Sequence, residues 1–297
     1  MTGSMVAAIA TKGSAARGVV LADGRRFDAP LVVACAGAIQ TPTLLQRSGL
    51  TSRPVGQGLK DHPSFGFTLR LRQPTEFTDS PASERGERRV STVLRWSSGV
   101  ADNSGSDSTS GSGSNLDLEA IVIDRLDDGG GAMLSMVAVG LMSVNSTGEV
   151  QTLGNKTSVV TGALATDEDR RRLRTGVRAV SALLNRPELA ELVTESHVGG
   201  TTTAADVVAM NDEQLDRLIA ANPGPYAHPG CSCPMGDPAS ANAVVSGRSG
   251  ELGRLIGYDG IYVADSSVMP DLVSGGLQLP ILAISERIVS ELAGDRR

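Results

Sequence analysis

Aromatic residues are scarce in this 297-residue chain, and phenylalanine, tryptophan and tyrosine together make up only 3 % of it. Positive charge is not in excess either, because the formal net charge is −6 at pH 7. Binding to nucleic acid depends on a basic surface, so we do not expect a nucleic-acid partner. No apolar run approaches the ~20 residues that a membrane-spanning helix requires, so we expect no membrane span.

The chain contains three cysteines, Cys35, Cys231 and Cys233. The first twelve residues lack the basic start, apolar stretch and small-residue cleavage site of a secretory signal. An odd cysteine count without an export signal favours a reducing compartment, and we expect a cytoplasmic location. A zinc site built from His228, Cys231 and Cys233 is not expected, because their spacing is tighter than that of paired zinc ligands and no fourth ligand lies nearby.

A glycine-rich dinucleotide fingerprint is also missing. Two glycine clusters, Gly111-Ser112-Gly113 and Gly129-Gly130-Gly131, have no buried strand before them and no helix after them, which the fingerprint requires. Most residues of Ala101–Ser114 are Ser, Gly, Asp or Asn. Such a composition buries too little surface to offset its ordering entropy, so we predict a mobile surface loop at 101–114.

The first part of the chain alternates between strand and turn signals. Met5–Val20 is predicted to form a β-hairpin or meander, with a further turn at Asp23-Gly24. The continuous apolar run Leu31–Ala36 is typical of a parallel strand buried on both faces. A short helix is then predicted over Thr43–Ser48, ended by Gly49.

The middle and end of the chain differ in character. Four segments are predicted to be strands, three of them in an antiparallel sheet: Leu69–Leu71, Ser91–Trp96, Leu116–Ile123 and Met133–Met142. An amphipathic helix is predicted to start with Asp167 as its N-cap, and its apolar face comprises Leu173, Val177, Val180, Leu183 and Leu184. Later predicted elements are a helix over Asn211–Ala221, a strand Gly260–Val263, a loop Asp265–Pro280 and a helix Ile281–Leu292.

Two stretches, Tyr226–Gly236 and Gly260–Pro270, carry the strongest functional signal. The first is similar to the motif His-Pro-x-Gly-Thr-Cys-x-Met-Gly of the glucose–methanol–choline (GMC) oxidoreductases. It matches in register at His228, Pro229, Cys233, Met235 and Gly236. The second resembles that family's Gly-Leu-x-Val-x-Asp-Ala-Ser-Val-Met-Pro, and it matches at Gly260, Val263, Asp265, Ser267, Val268, Met269 and Pro270.

Three weaker matches follow the family's order along the chain. Ala36–Leu45 resembles Ala-Gly-Ala-Ile-x-Ser-Pro-x-Leu-Leu, and Val55–Pro63 resembles Val-Gly-x-Asn-Leu-x-Asp-His-Pro. Asn145–Val150 resembles the family's Ser-x-Gly-x-Val turn. Each of these motifs is weak alone, but five in order make chance similarity an unsatisfactory explanation.

The resemblance implies an α/β (α+β) fold with an incomplete FAD-binding Rossmann-like domain and an antiparallel-sheet substrate domain with helices. It implies three ranges: 1–68 as part of the FAD-binding domain, 69–224 as the substrate-binding domain, and 225–297 as the return to the FAD-binding domain. It further implies an FAD-dependent oxidoreductase acting on the CH–OH group of a small-molecule alcohol. The mycofactocin-associated branch of the family is one candidate.

By resemblance, His228 is the proton acceptor in alcohol oxidation, a role suited to a side chain whose ordinary pKa lies near working pH. Its alternative role is that of a histidine packed within a Pro-Gly loop. His62 matches a structural loop of the family, and His197 matches nothing and is expected to be solvated.

Four further residues are implied to lie at the cofactor. The carboxylate of Asp265 and the following backbone N–H, that of Ser266, are expected to hold the ribityl–pyrophosphate part of FAD. Asp265 also suits a helix N-cap or turn, which is its alternative role. Val6 matches a residue at the adenine end, and Gly37 matches a point where backbone passes close to the cofactor.

Two departures from the family limit the prediction. Without the fingerprint we expect the chain alone not to hold FAD tightly, so it resembles a fragment that needs an N-terminal FAD-binding partner chain. Gly276, in the cofactor-facing loop, stands where the family has a second catalytic residue, Asn or His, and Gln278 is the candidate substitute. The alternative is a truncated, catalytically inactive remnant or a non-catalytic subunit.

Overall fold

The computed structural model describes residues 1–72, 89–100, 116–127, 133–154 and 156–294. The predicted mobile loop at 101–114 and both glycine clusters lie outside these residues. The strands, in chain order, are β1 Val6–Lys12, β2 Ala15–Leu21, β3 Arg26–Asp28, β4 Val32–Ala34, β5 Gln57–Leu59, β6 Pro63–Leu71, β7 Arg89–Trp96, β8 Leu118–Asp127, β9 Met133–Leu141, β10 Gly148–Leu153, β11 Lys156–Val160, β12 Val193–Val198, β13 Thr202–Thr203, β14 Gly224–Pro225, β15 Met235–Gly236, β16 Val245–Ser246 and β17 Ile261–Val263. The helices are α1 Gly37–Arg47, α2 Asp167–Leu184, α3 Pro187–Ala190, α4 Ala204–Ala209, α5 Asp212–Ala221 and α6 Gln278–Leu292, with a 3-10 helix at Ser266–Val268.

The chain divides into two compact units, each built from separate stretches of sequence. Unit 1 comprises Met1–Asp61, Ser146–Ala163 and Ala227–Arg297, and unit 2 comprises His62–Asn145 and Leu164–Tyr226. Helices and antiparallel sheets occur together, as the predicted fold class requires. The functional labels given to the ranges 1–68, 69–224 and 225–297 stay predictions.

Unit 1 begins with an antiparallel sheet of β1, β2 and β3 in that order. The predicted hairpin is confirmed, and its tight turn places Gly13 at φ +62°. That conformation costs glycine little because it has no Cβ. The Asp23-Gly24 turn then leads into β3, which makes the hairpin a meander.

Strands β4 and β17 form a parallel pair, with Val33 opposite Tyr262. The parallel pairing agrees with the prediction, but the predicted burial of both faces is wrong. Leu31 is 45 % exposed and Val33 37 % exposed, and Cys35 is exposed as well. Within the described ranges β17 is the only strand paired with β4, and the face carrying these three side chains is partly open to solvent.

Helix α1 starts six residues before the predicted Thr43 and has Pro42 in its interior. The prediction assumed that proline would mark the first helical turn, where its missing N–H is harmless. The predicted end is confirmed. Gly49, at φ +72°, donates to Gln46 O, and Leu50 N donates to Leu45 O, which is the Schellman arrangement.

The end of unit 1 is more helical than predicted. The 3-10 helix lies within the predicted loop Asp265–Pro280, and α6 begins at Gln278 rather than Ile281. Pro280 is accommodated because it falls in the first turn of α6, where backbone N–H groups have no helical partner. Ile288 is the buried residue of α6, and it packs into a core formed around β17.

Unit 2 contains a seven-stranded sheet with the order β13-β12-β6-β9-β8-β7, and β14 pairs with β6. All of these pairs are antiparallel, which confirms the prediction for the middle of the chain. The core of the unit lies between the sheet and helices α2, α4 and α5, and the fully buried Phe65 and Phe67 of β6 contribute to it.

Helix α2 has the predicted amphipathic character, and Leu173, Val177 and Val180 are buried. Two details of the prediction are wrong. The N-cap is Thr166, whose hydroxyl accepts from Asp169 N, so Asp167 is the first helical residue. Leu183 is 42 % exposed, because it falls off the buried stripe. None of the helices in the described ranges combines the length and apolar character that crossing a membrane demands.

Candidate functional site

The two strongest motif segments are hydrogen-bonded to each other within unit 1. The loop that follows His228 donates from Cys231 N to Ser266 O at 3.2 Å and from Cys233 N to Ser267 O at 2.8 Å. Segments far apart in the sequence are thereby fixed side by side. We call the surface that these two segments form, together with the motif segments that pack on them, the motif surface.

A third and a fourth motif meet at Gly56. Its N–H donates to Ser232 O at 2.7 Å, and its carbonyl accepts from Val150 N at 2.8 Å. Gly56 has φ +90°, and a Cβ at this position would lie 2.2 Å from Val150 O. Only glycine fits so close an approach of two backbones.

The fifth motif joins through Ser232, which is fully buried. Its hydroxyl donates to the carbonyl of Ala38 at 2.6 Å. Ala38 precedes Pro42 by four residues, so this carbonyl would accept a helical hydrogen bond from residue 42 if proline had an N–H. Ser232 supplies the donor that Pro42 lacks, which accounts for a proline inside α1.

Removing the Ser232 hydroxyl should therefore destabilise the protein only while Pro42 is present. We expect Ser232→Ala to lower the free energy of unfolding by about 1–3 kcal/mol, because the buried Ala38 carbonyl loses its donor. In a Pro42→Ala background the new N–H reaches that carbonyl, and the same change should cost well under about 1 kcal/mol. Urea denaturation of the four proteins measures the difference, and an equal cost in both backgrounds would contradict this account.

His228 is half-buried, and its backbone N–H donates to Asp61 Oδ1 at 2.9 Å. Two neighbours without glycine's freedom have positive φ, Ala227 at +60° and Cys231 at +68°. The family motif has glycine at the second of these positions, which agrees with the left-handed backbone there. The loop thus turns sharply on both sides of His228.

Asp265 is 8 % exposed, and its carboxylate organises two neighbouring segments. Oδ2 accepts from Gly37 N at 2.9 Å and from Thr41 Oγ1 at 2.5 Å. Oδ1 accepts from Ser267 N at 2.8 Å and from Ser267 Oγ at 2.5 Å, which caps the 3-10 helix. The cap and turn role weighed for Asp265 is thus present in the structure, and its contact with a cofactor stays a prediction.

The carboxyl ends of β4 and β17 have the features of a cofactor cradle. Each strand is followed by a helix, α1 or the 3-10 helix, and ligands of α/β sheets bind at such strand ends. Gly37 has φ +79°, a Cβ at this residue would meet no heavy atom within 4 Å, and Ala36 beside it is exposed. The residues present therefore fit an approach of a dinucleotide to this backbone.

The other predicted site residues are distributed as follows. Val6 opens β1, whose Ile9 N–H donates to Ser48 Oγ just after α1. Gly276 and Gln278 lie at the start of α6, where Gln278 is exposed and Leu277 between them is buried. Leu277 packs against Cys231 and Met269, so this loop contacts the motif surface.

The two remaining histidines belong to unit 2. His62 is fully buried, with its ring edge-on to Tyr226 at a centroid distance of 6.4 Å. His197, expected to be solvated, is instead half-buried in β12, with its Nδ1 buried and its Nε2 3.4 Å from Glu195 Oε2. Asp61, Thr41 and Ser232 lie inside motif segments, but the motifs gave no sign of the hydrogen bonds that these three side chains make.

The cysteines differ in reactivity because they differ in burial. Burial raises the pKa of the Cys231 and Cys233 thiols to about 12. Burial also raises the pKa of Cys35, with a contribution from the charge of Asp265, but this thiol is exposed. Because the thiolate is the nucleophile, the two buried thiols are unreactive at neutral pH.

Labelling of the native chain with a disulfide reagent at about pH 8 should therefore modify only Cys35, and all three thiols should react after denaturation. The pKa of these two thiols is about 9 in the unfolded chain and about 12 in the folded one, so as pH rises the unfolded chain loses their protons first. The contribution of the two thiols to the free energy of unfolding is therefore complete below about pH 9 and is lost as pH rises towards about 12. A Cys35→Ser variant should show no native labelling. Rapid labelling of that variant would contradict the burial of the other two thiols.

Two family models described as GMC oxidoreductase match the chain, one over residues 144–285 and the other over residues 1–64. Together they account for more than half of the sequence and include all five motifs. The chain belongs to the GMC oxidoreductase family. The resemblance identified from the motifs is thereby confirmed.

Individual relatives of this GMC oxidoreductase chain include enzymes of known specificity. It is 26 % identical over 292 residues to the oxygen-dependent choline dehydrogenase of Pseudomonas fluorescens (strain SBW25), covering 89 % of this chain and 49 % of that protein. It is 25 % identical over 290 residues to the oxygen-dependent choline dehydrogenase of Serratia proteamaculans (strain 568), covering 88 % and 50 %. The chain thus spans about half the length of the curated relatives it matches.

Solved structures support the fold. Pyridoxine 4-oxidase from Mesorbium loti has a TM-score of 0.75 at 23 % identity, covering 99 % of this chain and 58 % of that one. A formate oxidase of Aspergillus oryzae RIB40 has a TM-score of 0.76 at 19 % identity, covering 99 % and 60 %. At these identities the likeness concerns the fold alone.

Proposed function

We propose that this GMC oxidoreductase chain provides the catalytic part of an FAD-dependent oxidoreductase acting on the CH–OH group of a small alcohol. His228 is the proton acceptor. The observation that carries the proposal is the convergence of five family motifs on one motif surface, with the backbone N–H of His228 held there by the carboxylate of Asp61. A histidine that only filled space would not need a loop turned sharply on both sides.

In this proposal His228 takes the hydroxyl proton of the substrate on a ring nitrogen and later releases it to solvent. Its half-buried position serves both steps, because the ring reaches a bound alcohol while keeping access to water. When bound, FAD would accept the hydride that leaves the substrate carbon. The choline dehydrogenases among the relatives make a small amino alcohol a first substrate to test.

Five residues are proposed to lie along the cofactor: Val6, Gly37, Asp265, Ser266 and Gly276. Gly37 allows close approach of the backbone, and Asp265 holds Gly37 and the 3-10 helix in place through its four hydrogen bonds. The positive end of the α1 dipole adds a favourable field for an anionic group at this strand end. Ser266 and Gly276 are both linked to Cys231: Ser266 O accepts from Cys231 N, and Leu277, next to Gly276, packs against Cys231.

The exposed apolar face of β4 supports a further element of the proposal, an FAD-binding partner segment that pairs with this strand. Parallel strands are normally covered on both faces, whereas Leu31, Val33 and Cys35 are exposed here. A parallel strand added beside β4 would extend the sheet, and the helix that follows that strand would cover these three side chains. Such a segment would also bring the glycine-rich fingerprint that this sequence lacks.

The test is co-expression of the chain with a neighbouring reading frame that encodes a dinucleotide-binding segment. We expect a co-purified complex with flavin absorbance and alcohol-dependent bleaching of that absorbance. Val33→Lys on the exposed face of β4 should prevent assembly, whereas Val93→Lys, on an exposed strand position of unit 2, should not. A complex that forms without flavin, or with flavin that no alcohol reduces, would favour the non-catalytic alternative.

Gln278 is proposed to contact the substrate oxygen in place of the family's second catalytic residue. We expect Gln278→Ala to lower kcat of the complex about tenfold, the effect of one lost hydrogen bond in the transition state. Gly276→Asn in the same background should restore most of the rate. An amide fits there, because a Cβ at 276 meets no heavy atom within 4 Å.

Gly276→Asn also separates two explanations of a low kcat: the loss of the side chain at 276, and an imperfect substitution by Gln278. If Gln278→Ala has no effect and Gly276→Asn raises kcat of the otherwise unaltered chain, position 276 alone matters and the role given to Gln278 is wrong. Flavin content measured in each preparation serves as the control, because only a rate per bound flavin reports on chemistry.

A further inference from the structure

Asp61 stands in the sequence beside His62, which the resemblance places in a structural loop, and no motif assigns Asp61 a role in the reaction. Its side chain nevertheless reaches across 167 positions of sequence to His228, with Oδ1 accepting from His228 N at 2.9 Å. A hydrogen bond to a carboxylate is shorter and stronger than one to a neutral oxygen. The contact therefore fixes the backbone of the proposed proton acceptor itself.

A second contact fixes the relative position of the same two segments. Lys60 N donates to Gly230 O at 3.1 Å, and Gly230 N donates to Lys60 O at 2.9 Å, which is one closed antiparallel pair. Lys60 Nζ also lies 2.7 Å from Asp271 Oδ1. Residues 60 and 61 thus hold the loop at residue 230 and at residue 228.

The loop needs such support because its conformation is unfavourable for its residues. Ala227 and Cys231, on either side of His228, both have φ in the left-handed region. Residues other than glycine persist in that region only when surrounding contacts determine it. The carboxylate of Asp61 acts between these two positions, where it counters relaxation of the loop.

We propose that Asp61 is the positioning residue for His228. It sets the direction of the imidazole by holding the backbone N–H, and it does not itself touch the substrate. The proposal deepens the function proposed above and depends on it for the catalytic meaning, but the hydrogen bond can be tested separately.

The three histidines of the chain allow a selective measurement. Labelling with histidine carrying ¹⁵N at the backbone amide gives three amide signals, from His62, His197 and His228, and a His228→Gln variant assigns the last one. We expect hydrogen exchange of the His228 amide in the full chain to be at least about tenfold faster in Asp61→Ala. Asp61→Asn, which keeps an oxygen acceptor without the charge, should give an increase of about threefold.

The controls are the His197 amide, which should not change, and Asp271→Ala. That variant removes an equal charge from the neighbouring ion pair without touching His228, so its His228 amide should exchange within about twofold of the unaltered chain. A folded Asp61→Ala chain whose His228 amide exchanges at the original rate would overturn the proposal. If Asp61→Ala does not fold, an Asp61→Asn chain with unchanged exchange would overturn it.

Turnover by the assembled flavoprotein separates the two proposals. We expect Asp61→Ala to lower kcat at least about tenfold with little change in KM, and Asp61→Asn to recover most of it. If exchange responds to Asp61 but His228→Gln leaves turnover intact, the positioning contact is real and the proposed function is wrong. If His228→Gln abolishes turnover while exchange ignores Asp61, only the positioning proposal fails.

Discussion

Replacing His228 with glutamine in the assembled flavoprotein should lower kcat/KM for its alcohol by about 10²–10⁴-fold, the usual contribution of a general base. Glutamine keeps the size and the backbone N–H that donates to Asp61, so the loop conformation should survive. It cannot accept a proton at neutral pH. Steady-state kinetics per bound flavin, together with the flavin absorbance of the variant, checks the expectation.

The matched control is His197→Gln, which removes an imidazole from a half-buried position of β12 in unit 2. We expect its kcat/KM to stay within about twofold of the unaltered protein. A His228→Gln protein that binds flavin and turns over at the original rate would remove the catalytic interpretation. Its loop would then be a packing motif shared with the family.

The second large effect concerns folding. Gly56→Ala should lower the free energy of unfolding by about 2–5 kcal/mol, of which the positive φ accounts for about 1–2 and overpacking for about 1–3. The added methyl would lie 2.2 Å from Val150 O and 2.6 Å from Gln46 Nε2, and the first is backbone that cannot turn away. It would also push Gly56 N away from Ser232 O, which loosens the motif surface.

Gly13→Ala provides the comparison for Gly56→Ala. Gly13 also has positive φ, but no heavy atom lies within 4 Å of a Cβ there, so only the backbone term of about 1–2 kcal/mol remains. Chemical denaturation of the two variants in parallel measures the difference. Equal losses would mean that conformation alone, and not close approach of Val150, requires the glycine at 56.

The local elements of this chain were predictable because their signals are local. The hairpin at Gly13, the end of α1 at Gly49 and the buried stripe around Leu173 each follow from neighbouring residues. Helix α1 could not be given its true start, since Pro42 is tolerated there only through Ser232, which lies far along the chain. The exposure of Val33 was equally hidden, because an apolar run carries no information on whether both of its faces are covered.

The candidate site was predictable as far as its motifs reach. His228 and Asp265 were predicted from the family resemblance, and the structure places their segments in contact, while their roles stay predictions. The hydrogen bond that Asp61 accepts from His228 N was not predictable, because a carboxylate that binds a distant backbone N–H leaves no spacing pattern in the sequence. For Asp265, the motif alone cannot separate a carboxylate that contacts a ligand from one that caps a turn, and the geometry shows the second of these.

The pairing of β4 with β17 has a consequence for biosynthesis. Residues 32–34 meet residues 261–263, so the first strand of this pair leaves the ribosome long before its neighbour exists. At translation speeds of roughly 5–20 residues per second the delay is roughly ten to forty-five seconds. During that interval the apolar side chains of β4 are open to wrong pairing, which makes the nascent segment that contains β4 a natural substrate for chaperones.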